Sequence, residues 1–271
     1  MKTYLRAYRI LGTIIACLAL AGCSKLSLNE EFNYAISGGN IQEVQNVLIK
    51  VPKSEKNKFI NHGLYYAALS AKTILVKYFI EQKADINSIH AFGETALFRP
   101  VIDDNMDMIE LLIKNGADVN IPDRNGATPL TVAICNKNDK VVKYLIKSCT
   151  DFSTCKPISY TPLMFLIESK SPNSYEIAKL LIEKKIDLNS HKQDDGYTAL
   201  MVAVSYKNAE LVRLLLENGA MTDIKNKFNK TALDIAISDK SDEIIKLLSV
   251  KREKPDAVPI QSSPSLNEII N

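Results

Sequence analysis

The feature that most limits what this chain can become is a spacing. A Thr-Ala-Leu or Thr-Pro-Leu triplet recurs at Thr95-Ala96-Leu97, Thr128-Pro129-Leu130, Thr161-Pro162-Leu163, Thr198-Ala199-Leu200 and Thr231-Ala232-Leu233, with successive offsets of 33, 33, 37 and 33 residues. Self-similarity at such a period indicates a stack of small units in place of one central core. A second signature follows the triplets, as Asn115-Gly116-Ala117-Asp118-Val119-Asn120 and, more loosely, as Asn218-Gly219-Ala220-Met221-Thr222-Asp223. Local chemistry gives each signature a role. The Thr128 hydroxyl is suited to cap a helix, and Pro129 falls at the first helical position, where its missing N–H costs nothing. Met108, Ile109, Leu111, Leu112 and Ile113, like Leu211, Val212, Leu214, Leu215 and Leu216, form an apolar stripe too broad for a lone surface helix, so the second helix of a unit needs neighbours on more than one side. Gly116 and Gly219 supply the left-handed residue that ends it.

In this order and at this period the two signatures resemble the ankyrin repeat, a hairpin-like loop followed by two antiparallel helices. The resemblance implies an all-α fold: a solenoid of about seven helix-turn-helix units over residues 30–250. Two units are degenerate. Ala84-Asp85-Ile86-Asn87 closes one that starts near His62, and Phe32 to Lys50, with Gly38-Gly39-Asn40, forms a first capping unit. The 37-residue offset places about three extra residues around Ser171-Pro172-Asn173-Ser174 and about one in Lys192-Gln193-Asp194-Asp195-Gly196, both in loops. In residues 251–271, Pro255, Pro259 and Pro264 with neighbouring serines read as a mobile tail with room for a short linear binding motif.

Residues 1–22 carry the three parts of an export signal: the basic Lys2, Arg6 and Arg9, an apolar run from Ile10 to Leu20, and the small Ala21 and Gly22. As a helix the apolar run would cover roughly 17 Å, about half the hydrocarbon thickness of a bilayer, which disfavours a permanent span. Leu20-Ala21-Gly22-Cys23 resembles the bacterial lipobox. That resemblance implies cleavage before Cys23, a diacylglycerol thioether on its sulfur and acylation of the new amine, leaving residues 23–29 as a lipidated N-terminus and short linker. By the family's sorting rule, Ser24 after the cysteine implies the outer membrane, most simply its periplasmic face.

The formal charge of +3 reduces to zero without the signal, because three basic and no acidic residues lie in it. Nucleic acid thereby loses its bulk electrostatic support. His62, His90 and His191 stand in different units without metal-ligand spacing, and the chain has no nucleophile elbow, phosphate loop or dinucleotide fingerprint. Asp103-Asp104 and Asp194-Asp195 lie at loop positions. The Asp and Asn of Ala84-Asp85-Ile86-Asn87 and Ile186-Asp187-Leu188-Asn189 are accounted for by turn and capping bonds. The sequence thus predicts no enzyme activity, cofactor, metal or small-molecule substrate. Cys135, Cys149 and Cys155 remain after export, enough for one disulfide and one thiol. Cys149 and Cys155 are closest in sequence, but Cys149 occupies the helix-ending Gly place and Cys135 aligns with the exposed side of a first helix, which leaves another pairing open.

Ankyrin arrays bind proteins on the surface made by the loop tips and the exposed side of the first helices. The repeat register places Phe92 and Glu94, then Arg124, Lys156 and Tyr160, Gln193 and Tyr197, and Lys227, Phe228 and Lys230 at or beside the tips. Aromatics and Arg on such a rim are the residue types that dominate binding energy. Tyr160 and Tyr197, directly before the capping Thr, have packing between neighbouring loops as their alternative role. The expectation is a monomeric, membrane-anchored protein-binding module of the bacterial envelope, either an adaptor or scaffold, or an immunity protein against an envelope-targeted toxin such as a secreted lipase.

Overall fold

The computed structural model describes residues 27–90, 93–149 and 161–252, with side chains described as far as residue 249. Fourteen helices in these residues form seven pairs: α1 (Leu28–Gly38) with α2 (Ile41–Lys50), α3 (Lys56–Leu69) with α4 (Thr73–Glu81), α5 (Phe98–Ile102) with α6 (Met106–Lys114), α7 (Pro129–Cys135) with α8 (Asp139–Ser148), α9 (Pro162–Ser169) with α10 (Ser174–Glu183), α11 (Ala199–Ser205) with α12 (Ala209–Glu217), and α13 (Ala232–Ser238) with α14 (Asp242–Arg252). Each first helix packs on the next first helix, and second helices pack on one another at α2–α4, α8–α10, α10–α12 and α12–α14, giving two layers with a continuous apolar seam between them. The fold is the expected all-α solenoid. α1 opens two residues ahead of Glu30, and α3 opens well ahead of His62. Among the described residues no helix is long and apolar enough to cross a membrane.

The capping chemistry matches the sequence signals. Thr128, Thr161, Thr198 and Thr231 each accept, through the side-chain oxygen, the backbone N–H three residues on, with Pro129 and Pro162 opening their helices. Thr95 is the exception: its hydroxyl is buried without a partner, and α5 starts only at Phe98. Pro100 supplies the reason. Its ring has no N–H to give and clashes with the carbonyl four residues back, so regular helix cannot include Ala96. The other described units carry Ala35, Ala67, Ala133, Leu166, Ala203 or Ala236 at the same register position.

The loops close as hairpin-like tips. His90 donates its N–H to Glu94 O, Asp123 to Ala127 O, Asn226 to Lys230 O, each four residues on, whereas Lys192 donates to Tyr197 O, five residues on. The single extra residue of that loop is thereby visible. The three residues around Ser171 lengthen the turn between α9 and α10, so that Ile177 and Ala178 still reach the core. Gly93, Gly126 and Gly196 take left-handed backbone at the tips, and Asn229 takes it in the last loop.

Units are tied by a recurring side chain. Asp85, Asp118 and Asp187 accept from the N–H of Asn87, Asn120 and Asn189, which closes a turn within the unit. The Asn side chain then reaches the next unit: Asn87 accepts from Asp118 N–H at 2.8 Å and donates to Gly116 O at 3.0 Å, and Asn189 accepts from Met221 N–H at 2.9 Å. Cys149 alters this ladder. At the position where Gly116 and Gly219 turn left-handed (φ +93° and +90°), Cys149 is extended at φ −74°, and its thiol lies 3.4 Å from Asn120 Oδ1. Lys184 of the following unit donates to the Cys149 carbonyl at 3.2 Å, satisfying part of the end of α8.

Pro100→Ala is expected to let α5 begin at Ala96 and recruit the Thr95 hydroxyl as its cap. A cap contributes about 1 kcal/mol, and that gain exceeds the loss of proline's restraint on the unfolded chain. The midpoint of thermal unfolding should rise by about 2–4 °C, and Thr95→Val should stabilise the wild type but not the Pro100→Ala protein.

Candidate protein-binding surface

The loop tips contact the first-helix layer, so both belong to one face. Tyr65 of α3 donates its hydroxyl to Glu94 at 2.9 Å and stacks on His90, with ring centroids 4.5 Å apart. Glu168 of α9 pairs with Lys192 of the next loop at 3.0 Å, and the ammonium also lies 6.0 Å from the centre of the Tyr197 ring. Lys192 is almost wholly buried, an expensive place for a charge unless it is paired and hydrogen-bonded. Its loop position is filled by Asp123 and Asn226 in other units, where the side-chain oxygen accepts two backbone N–H groups of the tip. Lys192 cannot accept, and Asp195 takes over that task by accepting from Tyr197 N–H.

The rim residues divide accordingly. Arg124, Phe228 and Lys230 are exposed, and Phe228 is the strongest apolar projection, with 66% of its surface in water. Lys227 is exposed as a residue, but its ammonium donates to Gln193 O at 2.5 Å and its N–H to Asp195 O, so it also holds two tips together. Glu94 is half-buried and turned toward Tyr65. Tyr197 is half-buried between loops, beside Lys192. Phe92, Lys156 and Tyr160 lie outside the described residues.

A second set of residues on this face escaped the sequence reading. In successive first helices Tyr66, Arg99, Val132 and Phe165 occupy one half-exposed column, with Leu69, Ile102, Cys135, Glu168 and Ser205 in the next. Tyr206 is exposed, with the Lys170 ammonium 5.3 Å above its ring. The triplet motif hides these positions because it marks the buried side of each helix. The signal that finds them is the fourth and seventh residue after each Thr, read down the register.

At the N-terminal end of this face lies an aromatic and histidine cluster. His62 and His90, read above as scattered, stand with ring centroids 6.1 Å apart, since α3 and the following loop fold back on each other. His62 packs on Tyr66 at 4.3 Å and on Phe32 at 6.4 Å, and its Nε2 lies 2.9 Å from Asn33 Oδ1. Burial, then the neighbouring His90 and Lys58, hold the His62 pKa down to about 4. Burial lowers His90 as well, against the pull of Asp85. Burial raises Glu94, partly opposed by the Tyr65 hydroxyl. Among the described residues no group of three or more His, Cys, Asp or Glu is placed to hold a metal ion.

Of the cysteines, Cys135 is in no disulfide and sits on the first-helix face, its thiol pKa pushed up by burial and by the Glu168 carboxylate. That disfavours the reactive thiolate. Cys149 is buried, while Cys23 and Cys155 lie outside the described residues.

Comparison with known proteins places the chain. The family model for ankyrin repeats in three copies matches at residues 32–123, 64–155, 105–192 and 163–258. The chain belongs to the ankyrin-repeat family, and its stack is that of a protein-interaction module. Alpha-latrotoxin-Lg1a of Latrodectus geometricus is 42% identical over 74 residues, a stretch covering 27% of this chain and 5% of the toxin. An ankyrin repeat domain from Acinetobacter baumannii is 28% identical with a TM-score of 0.59, covering 69% of this chain and 96% of that one. The ankyrin repeat domain of Bcl-3, 22% identical with a TM-score of 0.61 over 81% of this chain and 97% of that one, shares the fold.

The histidine cluster gives the stack a pH dependence of definite sign. Between the unfolded value near 6.5 and the folded value near 4, the unfolded chain binds a proton at His62 that the folded chain does not, so stability falls as pH drops through this window. Because the ring is partly open to solvent, the loss is on the order of 2 kcal/mol. His62→Gln should flatten the decline in thermal midpoint between about pH 6.5 and 4; an unchanged slope would assign the dependence elsewhere.

Proposed function

We propose that this protein is a lipid-anchored protein-binding module of the bacterial cell envelope, holding a protein partner on its tip-and-first-helix face close to a membrane. The observation that carries the binding role is the half-exposed column of Tyr66, Arg99, Val132 and Phe165 on four successive first helices, beside the exposed Arg124, Tyr206 and Phe228. Within a stack whose interior is otherwise closed, such a run is surface that a partner would desolvate. The neutral charge balance behind the signal supports a protein surface over nucleic acid as the thing bound.

The anchor rests on Leu20-Ala21-Gly22-Cys23 and its flanks. Three acyl chains exceed the two signals that stable anchoring requires, each buried methylene contributing roughly 0.8 kcal/mol. With α1 opening at Leu28, only Ser24 to Ser27 separate Cys23 from the stack, a reach of roughly 14 Å when extended. A partner held on the face would therefore be membrane-proximal, and the periplasmic side of the outer membrane is the site that Ser24 favours.

Two measurements test the two halves. Cells given radioactive palmitate should label the wild-type chain and leave Cys23→Ser unlabelled; absence of label on the wild type removes the anchor. Joint replacement of Arg124, Tyr206 and Phe228 by Ala should weaken the partner recovered from envelope extract by about tenfold or more, with helical circular dichroism unchanged. Undiminished affinity would move the site off this face.

A further inference from the structure

In a linear stack each unit is closed by the one after it, and among the described residues the unit of α13 and α14 has none after it. Three columns show the consequence. Ile36, Ala68, Val101, Ile134, Ile167 and Val204 are all buried at one register position, and the seventh member, Ile237, is 55% exposed. Phe32, Leu64, Leu97, Leu130, Leu163 and Leu200 are buried at a second, where Leu233 is left half-exposed. Val44, Val76, Ile109, Val142, Ala178 and Val212 are buried at a third, where Ile245 is half-exposed. The end of the solenoid presents the same apolar face that six other units cover.

We propose that this end is closed by the chain's own residues 265–271. Their sequence, Ser265-Leu266-Asn267-Glu268-Ile269-Ile270-Asn271, matches Ser27-Leu28-Asn29-Glu30-Glu31-Phe32-Asn33 at five of seven positions. The earlier copy opens α1 through a reciprocal cap, with Glu30 N–H donating to Ser27 Oγ and Ser27 N–H donating to Glu30 Oε2 at 2.8 Å. Ser265 and Glu268 repeat the pair that starts such a helix. Leu266, Ile269 and Ile270 then fall at i, i+3 and i+4, one apolar face of a single turn, suited to Leu233, Ile237 and Ile245. In α1 the corresponding Phe32 is the residue that a first helix contributes to its core.

Reach and concentration favour this occupant over a second copy. Residues 253–264 span up to about 40 Å when extended, well beyond the roughly 10 Å between packed helices. A tether of this length presents the segment at about millimolar effective concentration, which a second chain would have to exceed. The segment would act as the opening turn of an eighth first helix.

Hydrogen exchange by mass spectrometry on the full mature chain tests the assignment without any substitution, since amides of 266–270 should be protected. Ile269→Asp with Ile270→Asp should raise exchange in α13 by about tenfold and lower the thermal midpoint. In an Ile237→Asp background the same tail changes should add little, because the contact is already lost. Unprotected tail amides, effects that add fully in the double background, or a wild-type dimer in light scattering that Ile237→Asp abolishes would each overturn the proposal, the last by giving the face to a second copy.

Discussion

Everything in this protein depends on the burial of one unit's apolar face by the next. A single helix pair with the breadth of Leu211 to Leu216 exposes too much apolar surface to stand alone, and only stacking on both sides removes it from water. The polar contacts follow from that arrangement. Asn87 and Asn189 bridge consecutive units, and the Lys227 N–H and ammonium bind carbonyls of the preceding tip, so backbone groups that a turn would leave unpaired are satisfied by the neighbouring unit. Core and ladder are thus two consequences of the same nearest-neighbour contact.

Units that break the pattern show how local exceptions are absorbed. Gly63 stands where the five units with a Thr triplet carry Ala or Pro, and a methyl there would meet the Phe79 ring at 2.3 Å. Phe79 itself replaces the Leu of the five later second helices, so a small residue on one helix and a large one on its partner fill the volume together. Lys192 in an Asp or Asn position is balanced by Glu168 from the preceding helix and by Asp195 from its own loop. Cys149 in a Gly position is balanced by Lys184 from the following unit. In the last two cases the compensation comes at least partly from an adjacent unit.

The same logic separates structural from functional exposure. Interior columns are closed along the array, so residues left open in the middle of it, such as Val132 and Phe165, mark a face that the stack itself has no use for. Residues open only at the end, such as Ile237, mark a missing neighbour. Both are apolar surface, but the first kind repeats along the array and suits an extended partner, whereas the second occurs once and fits a single short segment.

The sequence by itself determined the architecture: the number of units, the helix caps at Thr128, Thr161, Thr198 and Thr231, the left-handed ends at Gly116 and Gly219, and the place and size of both insertions. These were legible because capping, turn formation and amphipathic period are local, decided within a few residues along the chain. Thr95 looked like its fellow capping residues and is not one, through the nearby Pro100. What only the tertiary structure decided was which polar and aromatic residues meet across units: His62 with His90, Tyr65 with Glu94, Glu168 with Lys192. These partners lie 24 to 29 residues apart, close to one repeat period. Stacking brings them together, and the resulting burial, not the identity of either residue, sets the protonation of His62 and turns Glu94 inward from the rim.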